Sequence, residues 1–415
     1  MRTDVLATDV LVVGAGPAGS ALALQLRRDG YDVVLADKKA FPRDKPCGEF
    51  LSPQCQPLLE EMGLGSVMSD LGAHEVLGMR LHHRERRASG GFRQVADADA
   101  TPRGFGIRRS VFDHALFREA VRSGVHAHTR HAFDSLLRDS HGRVVGARLR
   151  PANASADAPP VEVRARFVVG ADGVHSRVAH ALRLQKPIRW LQQFALVAHF
   201  QGVAPREQAE VHLLRGGFFA ATTVDAQQFG VNLVLPRAQL ATRPPGASWD
   251  AFVASYLAQA PAFAERLEGA QRLNAWHGSG PFAYRTTRQS VPGAALVGDA
   301  AGYVDPLTGE GIYFALFTAQ ALAKAVHRSL QKPGDEGAAM AAYARARQHE
   351  LGPRLRAAML LQRGLRSPWV TRRFVGAMGR WSGFADLVVT MSGDTVHPRQ
   401  LWRPSFWRSF RRAGA

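Results

Sequence analysis

The chain has 415 residues, 46% of them hydrophobic and 21% charged, a composition that excludes a disordered, collagen-like or coiled-coil protein. No apolar run approaches the roughly 20 residues that a bilayer-spanning helix needs, which argues against an integral membrane protein. The formal net charge is +18, but no recognisable nucleic-acid-binding module accompanies it, so nucleic acid is not expected as a partner.

The N-terminal residues predict a strand, a helix and a second strand, which together form a βαβ unit. A short apolar run at 10–13 ends at a glycine, as buried parallel strands do. Good helix formers follow at 18–28, and a second strand is predicted at 31–36. The turn between the first strand and the helix reads Gly14-Ala15-Gly16-Pro17-Ala18-Gly19.

This glycine-rich turn predicts a dinucleotide-binding site. Gly14 permits the tight turn, Gly16 lets a pyrophosphate approach the backbone, and Gly19 allows the helix to pack closely on the strand. The helix N-terminus then presents unpaired N–H groups and a positive dipole end to the phosphates. Asp37 ends the second strand, where a carboxylate would accept hydrogen bonds from the adenosine ribose. Lys38 follows it, so the turn alone leaves a phosphorylated ribose open.

The rest of the chain continues this pattern and then interrupts it. The further elements predicted for the first domain are a helix at 108–123, strands at 167–170 and 294–297, and a helix at 311–328. On the helix at 108–123, Val111, Ala115 and Leu116 are expected to share the buried face. β-rich segments lie in between and predict an inserted antiparallel sheet, at 210–214, 217–224, 229–235 and 275–286.

Two further motifs favour FAD over NAD as the bound dinucleotide. Gly170-Ala171-Asp172-Gly173 follows one buried strand, and Gly298-Asp299-Ala300-Ala301 follows another. A carboxylate held at the end of a strand can bind ribityl hydroxyls, which NAD lacks. Each motif alone is compatible with an ordinary turn, but the three motifs in this order are a specific signal for FAD.

With these motifs the sequence resembles the flavoprotein hydroxylase superfamily, the fold of para-hydroxybenzoate hydroxylase, over about residues 7–330. It is similar in particular to the geranylgeranyl reductase-like branch, to which halogenases of carrier-bound substrates are related. Three runs carry this likeness: Lys45-Pro46-Cys47-Gly48, Arg109-Ser110-Val111-Phe112-Asp113 and Pro306-Leu307-Thr308-Gly309-Glu310-Gly311-Ile312.

The predicted fold class is α/β: a Rossmann-type FAD-binding domain with an inserted antiparallel β-sheet substrate domain and a helical C-terminal region. The predicted ranges are 1–75, 100–190 and 285–335 for the discontinuous FAD-binding domain, 76–99 and 191–284 for the substrate domain, and 336–415 for the basic helical region. The only cysteines are Cys47 and Cys55, as is typical of a reducing compartment, so a cytoplasmic protein is expected.

The resemblance implies roles for several of these residues. Arg109 would contact FAD, Asp172 would support the domain, and Asp299 would bind the ribityl chain. Read from the residues alone, Arg109 can also be a helix cap and Asp172 a turn residue. Cys47 is either close to the flavin ring or a small buried hydrophobe, and both interpretations stay open.

The turn before the helix at 311 is expected to face the flavin. If a helix begins at Gly311 and Ile312, its N-terminal amides point at the pyrimidine edge and stabilise a reduced, anionic flavin. Gly309 would form the turn, and Pro306 would press against one face of the ring. Pro306 and Cys47 are the only candidates for a catalytic role, and no metal-ligand cluster or metal is expected.

The reaction type follows only by elimination. The tyrosine- and tryptophan-containing motif of prenyl reductases is absent, and Gly216-Gly217-Phe218-Phe219 stands in its place. No two of the seven tryptophans are two residues apart, as the halogenase motif requires. Glu49 occupies a position where the reductases usually carry a small residue. Phe218, Phe219 and Thr222 are candidate substrate-pocket residues.

The favoured function is therefore an NAD(P)H-consuming monooxygenase that hydroxylates an apolar or aromatic substrate, polyketide-like or carrier-bound. The alternatives are a reductase that saturates an isoprenoid or polyene, and a halogenase-related enzyme. No second glycine motif is present, so NAD(P)H is expected to bind transiently, with electron supply by another protein as the alternative.

The C-terminal 65 residues concentrate positive charge. Residues 351–415 contain twelve arginines and no lysine against two acids, Asp386 and Asp394. This region could dock an acidic carrier protein or an anionic membrane. Its end, at 402–412, mixes aromatic residues with arginines and would either lie on a membrane or pack back onto the protein.

Overall fold

The computed structural model describes residues 5–93, 102–153, 159–225, 227–404, 406 and 407. Its helices are α1 (Pro17–Arg28), α2 (Cys55–Glu61), α3 (Val67–Asp70), α4 (Arg109–Arg122), α5 (Arg177–Ala181), α6 (Arg237–Leu240), α7 (Trp249–Leu257), α8 (Pro261–Arg266), α9 (Gly311–Gln331), α10 (Glu336–Leu365), α11 (Pro368–Arg380) and α12 (Ser382–Ser392). Short 3₁₀ turns add Arg189–Leu191, Gly298–Ala301, Pro333–Asp335 and Pro398–Trp402.

The strands of the described residues form four sheets. In chain order they are β1 (Val5–Val13), β2 (Val33–Asp37), β3 (Phe50–Leu51), β4 (His74–Val76), β5 (Gly78–His83), β6 (Arg86–Gly91), β7 (Gly104–Gly106), β8 (His126–Thr129), β9 (His131–Arg138), β10 (Val144–Pro151), β11 (Val161–Gly170), β12 (Gln185–Pro187), β13 (Gln193–Gln201), β14 (Gln208–Leu213), β15 (Phe218–Thr223), β16 (Phe229–Pro236), β17 (Gln271–Arg272), β18 (His277–Ser279), β19 (Tyr284–Thr286), β20 (Ser290–Val291), β21 (Ala294–Leu296) and β22 (Gly302–Tyr303). The two small sheets have the orders β12-β19-β22 and β3-β7-β4.

The first large sheet has the order β20-β21-β11-β1-β2-β8, and its central strands β21, β11, β1 and β2 are parallel. Its register aligns the carboxyl ends of these strands. Val13 pairs with both Ala36 and Gly170, and Gly170 pairs with Leu296. The segments that leave β1, β2, β11 and β21 therefore meet at one edge, where ligands of open α/β sheets bind.

This sheet is buried on both faces, as a parallel sheet must be. Val10 and Val12 of β1 face one core, which also contains Leu22 of α1 and Leu316 of α9. Leu11 and Val13 face a second core with β10, β11 and α5. Each fully buried valine or leucine side chain contributes about 1.5–3 kcal/mol, so the turn after β1 is fixed between two well-packed layers.

The second large sheet has the order β17-β13-β16-β15-β14-β5-β6, and β18 pairs with β13. Its pairs are antiparallel, apart from the parallel pair of β14 and β5. Helices α7 and α8 cover one face of this sheet through Phe252 and Phe263, whereas α11 and α12 cover the other through Val375 and Ala385.

The predicted fold class is confirmed, since a Rossmann-type sheet, a second, mainly antiparallel sheet and a helical C-terminal region are all present. The residue ranges given for the domains stay a prediction. None of the helices in the described ranges combines the length and hydropathy that a bilayer-spanning segment needs.

Two local predictions were wrong. Val111 does not lie on the buried face of α4; its side chain is exposed, because a charged pair occupies that face together with Phe112 and Leu116. The single strand expected at 275–286 is divided into β18 and β19, which belong to different sheets. Pro281 lies at this break, and a proline has no N–H to contribute to a ladder.

Candidate flavin-binding site

The turn after β1 has the geometry that a dinucleotide requires. Gly14 has a φ of +104°, and a Cβ there would lie 2.4 Å from the carbonyl oxygen of Ala171. A Cβ on Gly19 would lie 1.8 Å from the carbonyl oxygen of Gly14. At Gly16, in contrast, the nearest group is the Arg43 side chain at 3.6 Å. The N-terminus of α1 is therefore open above Gly16, where a pyrophosphate would bind.

Asp37 lies beside this opening at the end of β2. Its Oδ2 accepts a hydrogen bond from the N–H of Ala15 and its Oδ1 from that of Lys39, both at 2.9 Å. These bonds fix the carboxylate against the glycine turn. Two oxygens offer about four acceptor sites, so acceptor capacity remains for ribose hydroxyls. Lys38 is exposed next to it.

Arg43 is a site residue that the sequence analysis did not identify. Its guanidinium lies 3.5 Å from Asp37 and 3.4 Å from Asp113, and it stacks over the ring of Phe41. Its Nε is buried and has no hydrogen-bond partner in the described part of the chain. A buried, unsatisfied donor beside the open Gly16 fits an anionic ligand such as the FAD pyrophosphate.

Lys45 connects the two motifs that favour FAD. Its Nζ lies 4.0 Å from Oδ2 of Asp299 and 3.5 Å from the place a Cβ would take on Gly173. Burial, followed by the charge of Arg109, lowers the pKa of Lys45, while Asp299 acts in the opposite direction. Tyr284, also missed in the sequence, donates hydrogen bonds to the carbonyls of both Gly173 and Asp299 and so ties the two loops together.

Arg109 is not a helix cap. As the first residue of α4, it forms a bidentate pair with Asp113, with N–O distances of 2.6 and 2.9 Å. Both side chains are buried, and Cys47 lies next to the guanidinium. Burial alone would lower the pKa of Arg109, but the charge of Asp113 outweighs it and raises this pKa. A fixed cation thus lies beside Lys45 and Cys47.

Asp172 supports the turn after β11. It accepts hydrogen bonds from the Ser176 hydroxyl at 2.5 Å and from the N–H groups of Arg177 and Val178 at 2.7 and 3.2 Å. The carboxylate therefore holds the start of α5, and its contact with a cofactor stays a prediction.

The segment before α9 forms the predicted turn. The helix begins at Gly311, no side chain of a described residue caps it, and Ile312 is buried. Gly309 has a φ of +74°, and a Cβ there would lie 2.7 Å from the Phe50 ring. The first N–H groups of α9 can therefore stabilise negative charge, as expected for the flavin pyrimidine edge. Pro306 precedes this turn, and Gly48 faces open space.

Asp305 and Tyr303 are titratable groups that the sequence analysis overlooked. Burial raises the pKa of Asp305 to about 7, and its Oδ1 accepts a hydrogen bond from the N–H of Leu307 at 2.6 Å. Burial, followed by the charges of Asp299 and Asp305, raises the pKa of Tyr303 well above its ordinary value. The Tyr303 hydroxyl has no hydrogen-bond partner among the described residues and is therefore available to a ligand.

Replacing Asp305 by Asn is expected to make stability less dependent on pH. The folded protein binds the Asp305 proton more tightly than the unfolded chain, so stability falls as pH rises from about 4 to about 7. The full effect is at most about 4 kcal/mol, because each pKa unit corresponds to about 1.4 kcal/mol. Denaturant unfolding of FAD-saturated protein at pH 5 and pH 8 measures it. Parallel losses in the wild type and the variant would contradict the assignment.

The predicted substrate residues lie on two different faces of β15. Phe218 belongs to a cluster with Phe282, Leu307 and Tyr303, next to the Pro306 turn. Thr222 lies four residues after Phe218 on the same face of β15 and is buried. Phe219 points to the opposite face and packs on Phe263 at 5.0 Å, so it is a core residue rather than a pocket wall.

Glu49 links the flavin side of the molecule to the second sheet. Its Oε1 accepts a hydrogen bond from the N–H of Arg109 at 2.9 Å, and its Oε2 lies 2.6 Å from Nε2 of His199. Nδ1 of His199 lies 2.9 Å from Nδ2 of Asn274. Burial lowers the pKa of His199, but the hydrogen bond and charge of Glu49 have the larger effect. The pKa of His199 is therefore raised above its ordinary value. This pair holds the 45–50 segment against the sheet.

The structure also brings together three potential metal ligands, His82, Glu210 and His212, where the sequence predicted none. Oε1 of Glu210 is already bound by Arg266 at 2.9 Å and by Arg206 at 3.2 Å. Two guanidinium groups at this carboxylate oppose a second cation, so the cluster carries no metal assignment.

A cavity of about 770 Å³ opens beside the flavin motifs. Val174 and His175, which follow Gly173 directly, form one wall, and Phe282 and Tyr284 form another. The cavity therefore lies between the loop after β11 and the aromatic cluster that contains Phe218.

Residues 7–350 match the family model described as FAD binding domain. Menaquinone reductase of Mycobacterium tuberculosis is 28% identical over 331 residues, which are 76% of this chain and 76% of that protein. The structure of a flavin-dependent brominase superimposes with a TM-score of 0.80 at 22% identity, covering 98% of both chains. The structure of a geranylgeranyl bacteriochlorophyll reductase-like protein from Thermoplasma acidophilum superimposes with a TM-score of 0.74 at 19% identity, covering 99% of this chain and 97% of that one. These likenesses confirm the predicted resemblance, and the two structures establish the fold.

Proposed function

The chain belongs to the FAD binding domain family, and on that basis we propose that it is an NAD(P)H-consuming monooxygenase that hydroxylates an apolar or aromatic substrate. Bound FAD would supply the redox chemistry, which is hydride acceptance and oxygen activation. Arg43, Lys45, Arg109, Asp37 and Asp299 are the side chains that would hold it. Three cations among these five suit a cofactor with two phosphates.

The observation that carries the proposal is the apolar cluster next to the Pro306 turn. Phe218, Phe282 and Leu307 lie there, and Phe218 and Phe282 are buried. Oxygen transfer needs a site from which water is excluded, and these side chains provide an apolar wall for it. An aromatic substrate ring would pack against Phe218 and Phe282, which favours an apolar or polyketide-like molecule over a charged one.

Two neighbouring groups supply polar chemistry at this wall. The Tyr303 hydroxyl stays protonated at neutral pH and can donate a hydrogen bond to a substrate oxygen. Asp305, with a pKa of about 7, can hold or release a proton near neutral pH. Halogenation is not proposed, because the tryptophan motif of halogenases is absent from the sequence.

A reductase is the second candidate, and two observations favour it. One is the likeness to menaquinone reductase, and the other is Tyr303, whose uncommitted hydroxyl could protonate a carbon opposite to a hydride. This function would saturate a C=C bond of an isoprenoid or polyene and would need no oxygen.

Turnover with and without oxygen separates the two reactions. Hydroxylation consumes one O₂, one NAD(P)H and one proton per substrate and yields one hydroxyl group, one water and NAD(P)⁺. FAD-loaded protein would be offered alkylated phenols and polyprenyl quinones, in ¹⁸O₂ and under argon. We expect one ¹⁸O atom in a phenolic product and no product under argon. A product that gains two hydrogens at the same rate under argon would overturn the proposal in favour of the reductase.

A further inference from the structure

The end of α10 and the start of α11 carry an unusual surface. Between Glu350 and Asp386 the sequence contains seven arginines and no acid. Arg354 is buried in an ion-pair network, whereas the other six are exposed. No ion pair joins any of these six to the part of the chain that the structure describes, so the positive charge faces solvent uncompensated.

Large apolar side chains stand among these arginines. Leu360 is 71% exposed and Trp369 is 66% exposed, while Trp190 reaches the same area from the 3₁₀ turn before β13. Isolated exposed apolar residues are common on proteins, whereas apolar patches rimmed by polar residues mark interaction sites. We call the set the Arg–Trp surface: Trp190, Leu360, Arg363, Arg366, Trp369 and Arg373.

Four members of the Arg–Trp surface are in contact in pairs. The Arg366 guanidinium donates a hydrogen bond to the Trp190 carbonyl at 3.2 Å and lies 5.9 Å from the centre of its ring. Arg373 lies 5.2 Å from the ring of Trp369. Cγ1 of Val370 lies 3.4 Å from the place that a Cβ would take on Gly364, so α11 packs against the end of α10. The surface therefore includes residues of both helices and of the 3₁₀ turn.

The cavity beside the flavin motifs lies near this surface. Gln192, which lines the cavity, directly follows the turn that carries Trp190, and Pro187, which also lines it, lies two residues before that turn. The cavity is also lined by Phe282 and by Val174, which follows Gly173 of the predicted flavin loop. A molecule that entered beside Trp190 would thus move along an aromatic wall towards the proposed reaction site.

We propose that the Arg–Trp surface docks on an anionic lipid bilayer and turns the cavity towards the lipid phase. Arginines beside tryptophan and leucine have the composition of segments that lie in the bilayer interface, where rings sit at headgroup depth and cations contact anionic lipids. An acidic protein would match the charge but leave Leu360 and Trp369 without a matching apolar phase. The docking itself is independent of the proposed function, whereas delivery of an apolar substrate through the cavity rests on it.

The C-terminal tail is a separate case. Phe406 packs with Leu387 and Val396, and Trp407 donates a hydrogen bond to the carbonyl of Leu401, so this part packs back. Trp402 is exposed. Residues 408–415, on which the membrane interpretation of the tail also depends, lie outside the described residues.

Vesicle flotation of the full FAD-loaded chain, without substrate or NAD(P)H, tests the docking. Vesicles of phosphatidylcholine alone are compared with vesicles containing one-third phosphatidylglycerol. We expect binding only to the anionic vesicles. Each arginine near an anionic surface contributes about a factor of five, so the triple replacement Arg363→Gln, Arg366→Gln, Arg373→Gln should weaken binding by roughly 100-fold. The paired change Trp369→Ala, Leu360→Ala should weaken it by at least about tenfold.

The matched control removes the same charge elsewhere. Arg118, Arg164 and Arg288 are exposed and lie outside the Arg–Trp surface, so replacing them by Gln should change binding by less than about twofold. Equal weakening by both triple variants would mean that net charge alone acts and would overturn the proposal. So would binding to soluble polyglutamate without binding to anionic vesicles, which would assign the surface to an acidic protein. Neither result depends on whether the enzyme hydroxylates or reduces.

Discussion

Replacing Arg354 by Met is expected to lower the free energy of unfolding by about 3–5 kcal/mol at pH 8. The Arg354 side chain is buried between three carboxylates. Its Nη1 lies 3.0 Å from Oδ1 of Asp394 and 3.8 Å from Oε1 of Glu310. The contact with Asp394 is an ion pair whose geometry is not that of a hydrogen bond. Its Nε and Nη2 donate to Glu350 at 3.1 and 3.0 Å. Methionine fills similar space but leaves these carboxylates without their shared cation.

The loss should be smaller in acid. Burial raises the pKa values of both Asp394 and Glu310. The charge of the neighbouring Glu310 raises the pKa of Asp394 as well. Without Arg354, which lowers both values, these groups bind protons still more tightly in the folded variant than in the unfolded chain. Stability of the variant therefore falls more steeply than that of the wild type as pH rises above the ordinary carboxyl range near 4.

Denaturant unfolding of the two proteins at pH 5 and pH 8 measures this difference. Arg356→Met is the matched control, because Arg356 is exposed on the same helix and forms no ion pair with a described residue. It should change stability by less than about 0.5 kcal/mol. Losses that are equal at the two pH values would show that packing, and not charge, is the contribution of Arg354.

This network also explains what the C-terminal helices do for the site. Glu310 is the residue before α9, Asp394 follows α12, and Arg354 belongs to α10. The arginine therefore fixes the turn that contains Gly309 and Gly311 to two helices of the C-terminal region. A less ordered turn in the Arg354→Met variant should also release FAD more readily.

The sequence predicted the parts of the site that depend on backbone geometry. Gly14, Asp37, Asp172 and Asp299 follow buried strands, and parallel strands place their carboxyl ends at one edge whatever the side chains are. Their relative placement could be inferred because strand, turn and helix signals are local. The alternation of β15 could likewise have shown that Phe218 and Phe219 face opposite ways.

Residues that reach the site across long distances could not be predicted in this way. Arg43 lies in a loop without a helix or strand pattern, and only the fold brings it beside Gly16. Tyr284 comes from the far end of the inserted segment, and Arg354 from beyond it. On α4 the apolar residues suggested a face that includes Val111, whereas the buried face contains Arg109 and Asp113. A charged residue can be buried when it is paired, and hydrophobic periodicity does not detect it.

Replacing Arg109 by Met is expected to weaken FAD binding by roughly 100-fold, which corresponds to about 3 kcal/mol. The proposal makes its guanidinium a cofactor contact, and a hydrogen bond to a charged group contributes about 1.5–3 kcal/mol. The same change leaves Asp113, whose side chain is 0% exposed, with only Arg43 at 3.4 Å. Stability should therefore fall as well, so FAD affinity and unfolding must be measured on the same preparations.

A second variant separates the two effects. In the double variant Arg109→Met, Asp113→Leu the buried charge is removed together with its partner, and exchanging a buried ion pair for apolar side chains is often neutral. Its stability should return to within about 1 kcal/mol of the wild type. Arg122→Met is the matched control, since Arg122 is exposed on the same helix and pairs with Glu119 at the surface. It should alter neither property measurably.

FAD affinity of the double variant then decides the role of Arg109. If affinity stays about 100-fold below that of the wild type although stability has recovered, the guanidinium binds the cofactor itself. If affinity recovers together with stability, Arg109 acts only by neutralising Asp113, and the cation that meets FAD must be Arg43 or Lys45. Titration of the apoprotein with FAD, followed by the change in flavin fluorescence, distinguishes these outcomes without any knowledge of the substrate.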